Sequence, residues 1–171
     1  MSSIRWPEGF IPGKTDNFVS NEIIVSDLSA ADVWPFLNDT SHWSSYYSNV
    51  ADIKLSEPAQ TELYQGAEFR FTTFGFPIEA VVREHVAPSE DGVGRMAWHG
   101  WSGEAEAKID AYHAWLFEDL SDDRVRILTQ ETQKGGPARE LAKTLPNPML
   151  NAHQEWIDGL AKTALHHKTS G

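Results

Sequence analysis

The 171-residue chain predicts one α+β domain, a curved antiparallel sheet of six or seven strands gripping a long C-terminal helix, with two short helices after the first strand. Three observations predict it. Between Pro148 and Lys168, the residues Met149, Ala152, His153, Trp156, Leu160 and Ala164 recur at three- and four-residue spacing, which is one stripe of a helix. Upstream, segments of alternating apolar and polar residues are separated by turn signals, the pattern of antiparallel strands. Between the first two of those strands lie short apolar clusters with helical spacing. The last helix, roughly 30 Å long, cannot bury its stripe alone and must pack on something large.

Met1 to Asp16 is rich in Pro and Gly and reads as an N-terminal extension that covers a sheet edge, with Trp6 and Phe10 pinned to the body. The domain proper is expected over 17–168. Asn17–Ser26 is the first strand. Ser29 is an N-cap with Asp32 three residues on, and Val33, Phe36 and Leu37 give the short helix its apolar face. Pro35 is tolerated only because that helix is short. His42–Tyr47 predicts a second short helix carrying Trp43, Tyr46 and Tyr47. Strands follow at Val50–Leu55, Glu68–Phe74 and Pro77–Ala87, the last two forming a hairpin about Gly75. Arg95–Trp101 is the fifth strand, and Gly100 suggests a bend or bulge within it, which leaves the facing of His99 and Trp101 open. Lys108–Leu120 and Arg124–Gln133 complete the sheet around the turn Ser121-Asp122-Asp123. Ala138–Leu145 is helical. Pro146-Asn147-Pro148 breaks it before the last helix, for which Asn147 is the N-cap and Pro148 the first residue.

Composition narrows the function. Net charge is −11, which disfavours nucleic acid and anionic membranes as partners. No apolar run approaches a membrane span, and the N-terminus lacks the apolar core of a signal peptide, so a soluble cytoplasmic setting is expected. Cysteine is absent, which excludes disulfides, thiolate metal sites and cysteine catalysis. There is no phosphate loop, dinucleotide fingerprint or nucleophile elbow, and no cofactor is expected. The histidines His42, His85, His99, His113 and His153 are scattered, with no spacing that predicts a metal site.

The run Ala31-Asp32-Val33-Trp34-Pro35-Phe36-Leu37-Asn38-Asp39 with Trp43 is similar to the opening of the helix-grip proteins. That group includes polyketide cyclases, START lipid-transfer domains and the Bet v 1 allergens. His113-Ala114-Trp115-Leu116-Phe117, then Gln130-Glu131-Thr132 with Gly135, and finally Gln154-Glu155-Trp156 with Leu160 resemble later landmarks of the same group. The polyketide cyclase/dehydratase-like branch looks closest. The resemblance covers about 17–168 and implies a Bet v 1-like fold enclosing an apolar cavity that holds lipids, sterols or polyketides. In some members that cavity also supports cyclisation or dehydration. Fold alone does not select among these roles.

If one face of each strand lines such a cavity, His113, Trp115, Thr129 and Glu131 face it from the sixth and seventh strands. A histidine and a carboxylate in an apolar lining suit general acid–base chemistry. They suit equally the anchoring of a ligand's polar group, or simply a hydrogen-bonded core histidine and a rim carboxylate. Trp43, Tyr46, Tyr47, Phe71, Phe74, Trp98, Trp115 and Trp156, with Thr129 and His153, are the candidate lining of a roomy pocket. The same aromatics also suit an ordinary core. Three roles stay open: binding of a small hydrophobic, aromatic or polyketide-like molecule; a cofactor-independent cyclase or dehydratase using His113 and Glu131; and an accessory interaction module, for which a homodimer is one form.

Overall fold

A computed structural model describes the whole chain, Met1–Gly171. Seven antiparallel strands form one sheet in the order β1-β7-β6-β5-β4-β3-β2. They are β1 (Asn17–Ser26), β2 (Ala51–Leu55), β3 (Glu68–Thr73), β4 (Phe76–Val86), β5 (Val93–Ser102), β6 (Ile109–Leu120) and β7 (Arg124–Lys134). The helices are α1 (Ala30–Asn38), α2 (Trp43–Tyr46), α3 (Gly136–Lys143) and α4 (Pro148–Ser170). No helix is long and apolar enough to cross a membrane.

Local chemistry accounts for the ends of these elements. The Ser29 hydroxyl accepts from the Asp32 N–H, and the Asp32 carboxylate accepts from the Ser29 N–H at 2.8 Å, so α1 opens on a complete capping box. Asn147 accepts from the Met149 N–H at 3.0 Å and caps α4. Phe74 and Gly75 both take positive φ, 50° and 75°, as a two-residue hairpin turn requires. On α4, Gly159 lies so close to α2 that a Cβ there would meet the Tyr46 carbonyl oxygen at 2.4 Å. The absent side chain is what lets the two helices close.

The inner face of the sheet packs on α1, α2 and α4. Its core includes Trp43, Tyr47, Phe69, Phe71, Trp98, Trp115, Phe117, Ile127, Trp156, Ile157 and Leu160, all buried. The outer face of β5, β6 and β7 carries a second, smaller core of Ala97, Tyr112, Ala114, Leu116 and Leu128, joined by Ile4, Trp6 and Phe10 from the leader. Residues 1–16 thus lie across the outer face and do not merely cover an edge. Trp6 packs edge-on against Tyr112 at 5.9 Å, and the Phe10 carbonyl accepts from the Thr132 hydroxyl at 3.0 Å.

The irregularity expected at Gly100 lies elsewhere. Gly100 pairs in regular register with Ala80 and Ala111. The bulge is on β4, where Val82 faces Trp98 and Glu84 faces Ala97, leaving Arg83 extra. With the β5 register regular, His99 and Trp101 face outwards. His99 contacts Phe10 at 5.3 Å and Asp110 at 3.0 Å.

Candidate functional site

Strand register assembles the site. Val82, Trp98, His113, Glu131 and Val19 form one row across β4, β5, β6, β7 and β1. The tight β6–β7 turn sets Leu120 opposite Arg124, and counting back along both strands brings His113 opposite Glu131. Alternation turns this row inwards. Above it runs α4, whose stripe places His153 on His113, the rings 4.5 Å apart and within 14° of parallel. Trp156 meets His113 edge-on at 5.5 Å.

His113, Glu131 and His153 are 3%, 8% and 3% exposed. Nε2 of His113 lies 2.8 Å from the Thr129 hydroxyl, which in turn donates to the Ala114 carbonyl at 3.2 Å. A hydroxyl that spends its one hydrogen on a carbonyl can only accept from the imidazole. This assigns the hydrogen of His113 to Nε2 and leaves a lone pair on Nδ1. That Nδ1 lies 3.2 Å from Oε1 of Glu131. The other carboxyl oxygen of Glu131 accepts from the Gln133 amide.

Burial sets the proton affinities. It pushes the Glu131 carboxyl up to about 8, against a smaller opposing effect of the Gln133 hydrogen bond. Burial holds His153 down to about 4. Burial, and then the neighbouring His153, holds His113 well below the usual histidine range. Burial thus disfavours charge on all three groups, and Nδ1 of His113 faces Oε1 of Glu131 across 3.2 Å.

Nine of the ten residues expected to line a pocket, together with His113 and Glu131, fall in this one interior region. Trp43, Trp98, Trp115, Trp156, Tyr47, Phe71, Thr129 and His153 are buried. Tyr46 is half-buried, its hydroxyl donating to the Phe36 carbonyl at 2.8 Å. Phe74 does not join them, because the hairpin turn carries it out to 40% exposure. The expected roominess is also corrected. The rings pack on one another: Tyr47 stacks on Trp156 at 4.5 Å, Trp43 on Trp98 at 5.5 Å, and Trp115 meets Trp156 at 5.1 Å. Two surface clefts of about 460 and 240 Å³ lie beside β2, and of the expected lining only Phe71 borders either. The indoles form a floor, and towards the end of the sheet where α4 begins the inward side chains become small. There the next inward row is Ala80, Gly100 and Ala111, with Ile78 and Ile109 half-buried beyond it.

Sequence reasoning missed the polar chain that ties the site to α4. Gln133 receives from the Asn17 amide at 2.8 Å, and Asn17 receives from Asn147, the α4 N-cap, at 2.7 Å. Asn21 donates to the Leu150 carbonyl at 2.9 Å. The inward parity of Asn17, Asn21 and Gln133 was the available signal. Also missed was the meeting of three donors. One donor atom from each of His113, Glu131 and His153 lies within 4.8 Å of the other two. His153 Nδ1 and Trp115 Nε1 are buried with no hydrogen-bond partner.

No protein-family model and no curated protein matches the chain. Among solved structures, the hypothetical protein jhp0584 of Helicobacter pylori is 49% identical over 96% of this chain and 97% of that one, with a TM-score of 0.92. The chain belongs to the family of that Helicobacter protein. More distant structures share the fold alone. Norcoclaurine synthase of Thalictrum flavum, in complex with dopamine and hydroxybenzaldehyde, is 12% identical over 98% of each chain with a TM-score of 0.54. A protein of unknown function from Staphylococcus aureus is 11% identical over 91% of this chain and 98% of its own, with a TM-score of 0.59. The fold of this family is therefore the Bet v 1-like helix grip, and these likenesses stop short of the polyketide cyclase branch.

Proposed function

We propose that the chain binds a small, flat, largely apolar molecule at the end of the grip where α4 begins, with its polar group held by His113 and Glu131. One observation carries this reading: a buried histidine–glutamate–histidine group set in stacked aromatics, with His153 Nδ1 and Trp115 Nε1 lacking partners. Unpaired polar atoms in an apolar interior are costly. A fold that needed only a core would have no use for them. Norcoclaurine synthase, of the same fold, holds two small aromatic molecules, which supports an aromatic ligand here.

The test is titration of phenolic and polyketide-like probes against tryptophan fluorescence, with native mass spectrometry for any copurified molecule. Saturable quenching is expected, weakened about tenfold by Glu131→Gln, the loss of one charge-assisted or acid hydrogen bond. No saturable response to any probe, with a clean apo mass, refutes the reading.

A second reading is favoured by the approach of Glu131 to Nδ1 of His113, 3.2 Å apart in an apolar interior that raises the carboxyl's proton affinity. A carboxyl that keeps its proton near neutral pH is a competent general acid, so the same site suits a cofactor-independent cyclase or dehydratase. His113→Gln should then abolish turnover and leave probe affinity within a few-fold.

A further inference from the structure

The three donors at the centre of the grip lie within 4.8 Å of one another, and Nδ1 of His153 has no hydrogen-bond partner. A cation set among them would be ligated by all three. Nδ1 of His113 and Oε1 of Glu131 are 3.2 Å apart. Two ligands of one tetrahedral ion with bonds of about 2.0–2.1 Å stand roughly 3.3 Å apart.

We propose that His113, Glu131 and His153 hold one divalent first-row transition-metal ion. The donor set selects the class: imidazole suits zinc, iron, nickel or copper, whereas calcium and magnesium take oxygen ligands. The surroundings have the form of an outer shell. Thr129 fixes His113 in the tautomer whose Nδ1 lone pair is free, and Gln133 holds the second oxygen of Glu131. The ion is bound by the carboxylate and neutral-imidazole forms of these side chains. A ligated ion lies in the plane of each imidazole, so loading turns the His153 ring out of its stack on His113. Three protein ligands leave positions open for water or for a ligand's oxygen.

This inference does not need the small-molecule reading, because ion content is measured with no organic ligand present. Untagged protein is assayed for metals by mass spectrometry, then stripped and titrated with Zn²⁺ alone and, anaerobically, with Fe²⁺ alone. About one equivalent per chain is expected, with a rise in Tm on loading. Glu131→Gln and His153→Gln should abolish uptake. Thr129→Val, which keeps the side-chain shape and removes only the outer-shell hydroxyl, should weaken affinity about 10- to 100-fold with an unchanged circular dichroism spectrum. It decides the matter if a ligand variant fails to fold. His166→Ala with His167→Ala, in the exposed tail, should bind as wild type. Binding of neither ion by the wild type, or undiminished uptake by Thr129→Val and His153→Gln, overturns the site. Persisting fluorescence quenching by aromatic probes in that case leaves the binding reading standing.

Discussion

The two faces of β5–β7 are both buried, yet they treat their polar groups differently. On the outer face, every charge sealed beneath the leader has partners. Arg126 reaches Glu22 at 2.7 Å, Glu118 at 3.5 Å and the Ser2 carbonyl at 3.1 Å. Arg95 donates to the Ser3 carbonyl at 2.9 Å, and Glu118 accepts from the Ser2 N–H at 2.7 Å. On the inner side lie all four buried side-chain atoms without a partner: Asn21 Oδ1, Trp115 Nε1, His153 Nδ1 and Trp156 Nε1. Burial alone does not leave polar atoms bare, since the outer face avoids it with the same strands. The inner deficit is specific to the grip, which is where a ligand or an ion would make it good.

The largest effect that would break this contrast is loss of the aromatic floor. Trp156 contacts Trp43, Tyr47, Trp98, Trp115 and His113. Trp156→Ala should cost about 3–5 kcal/mol in urea unfolding. A loss below about 1 kcal/mol would mean that the rings are loosely held and that the grip is already open.

Next comes the outer face. Arg126→Met keeps the stem and removes the charge, stranding Glu118 against the sheet. Breaking a buried pair from one side should cost about 3 kcal/mol. The inner counterpart is His153→Phe, which replaces a ring whose buried Nδ1 has no partner by an apolar one of similar shape. It should change stability by less than about 1 kcal/mol, because no hydrogen bond of Nδ1 is lost. Equal penalties for the two variants, measured by the same unfolding curves, would erase the distinction between the faces.

The sequence carried the strands well, because β1, β3 and β7 alternate and the turns after β3 and before β7 are marked by Gly75 and by Ser121-Asp122-Asp123. The pairing of His113 with Glu131 was legible for the same reason, since a tight turn propagates its register. Four features were not legible. Residues 1–16 have no periodicity, so nothing in them announces that they cross the outer face; only the apolar outward residues Tyr112, Ala114 and Leu116 hinted that it needed a cover. A glycine marks a place where irregularity is tolerated, and the bulge fell instead at Arg83, where no residue preference announces it. Lining and filling are also indistinguishable from residue type: a tryptophan on an inward face predicts burial but not whether a void lies beside it. The meeting of His153 with the His113–Glu131 pair depends on the rotation of α4 about its axis, which Gly159 fixes by its contact with Tyr46.

The smallest effect concerns pH and separates the faces by their acids. Burial raises the affinity of Glu118 for protons, but hydrogen bonds from Ser2, the charge of Arg126 and the N-terminal amine together outweigh it, so the carboxyl sits below its ordinary 4.5. The groups facing it are these and Glu22, which shares Arg126. An acid whose folded affinity is depressed contributes stability that is fully present above its unfolded pKa and disappears as pH falls through the folded one. Wild type should therefore lose stability relative to Glu118→Gln as the pH is lowered from about 7 to about 3, with the gap constant above about 5. A gap that instead closes with rising pH would mean that Glu118 is held protonated like its inner-face counterpart, and the leader would then be no better partnered than the grip it backs.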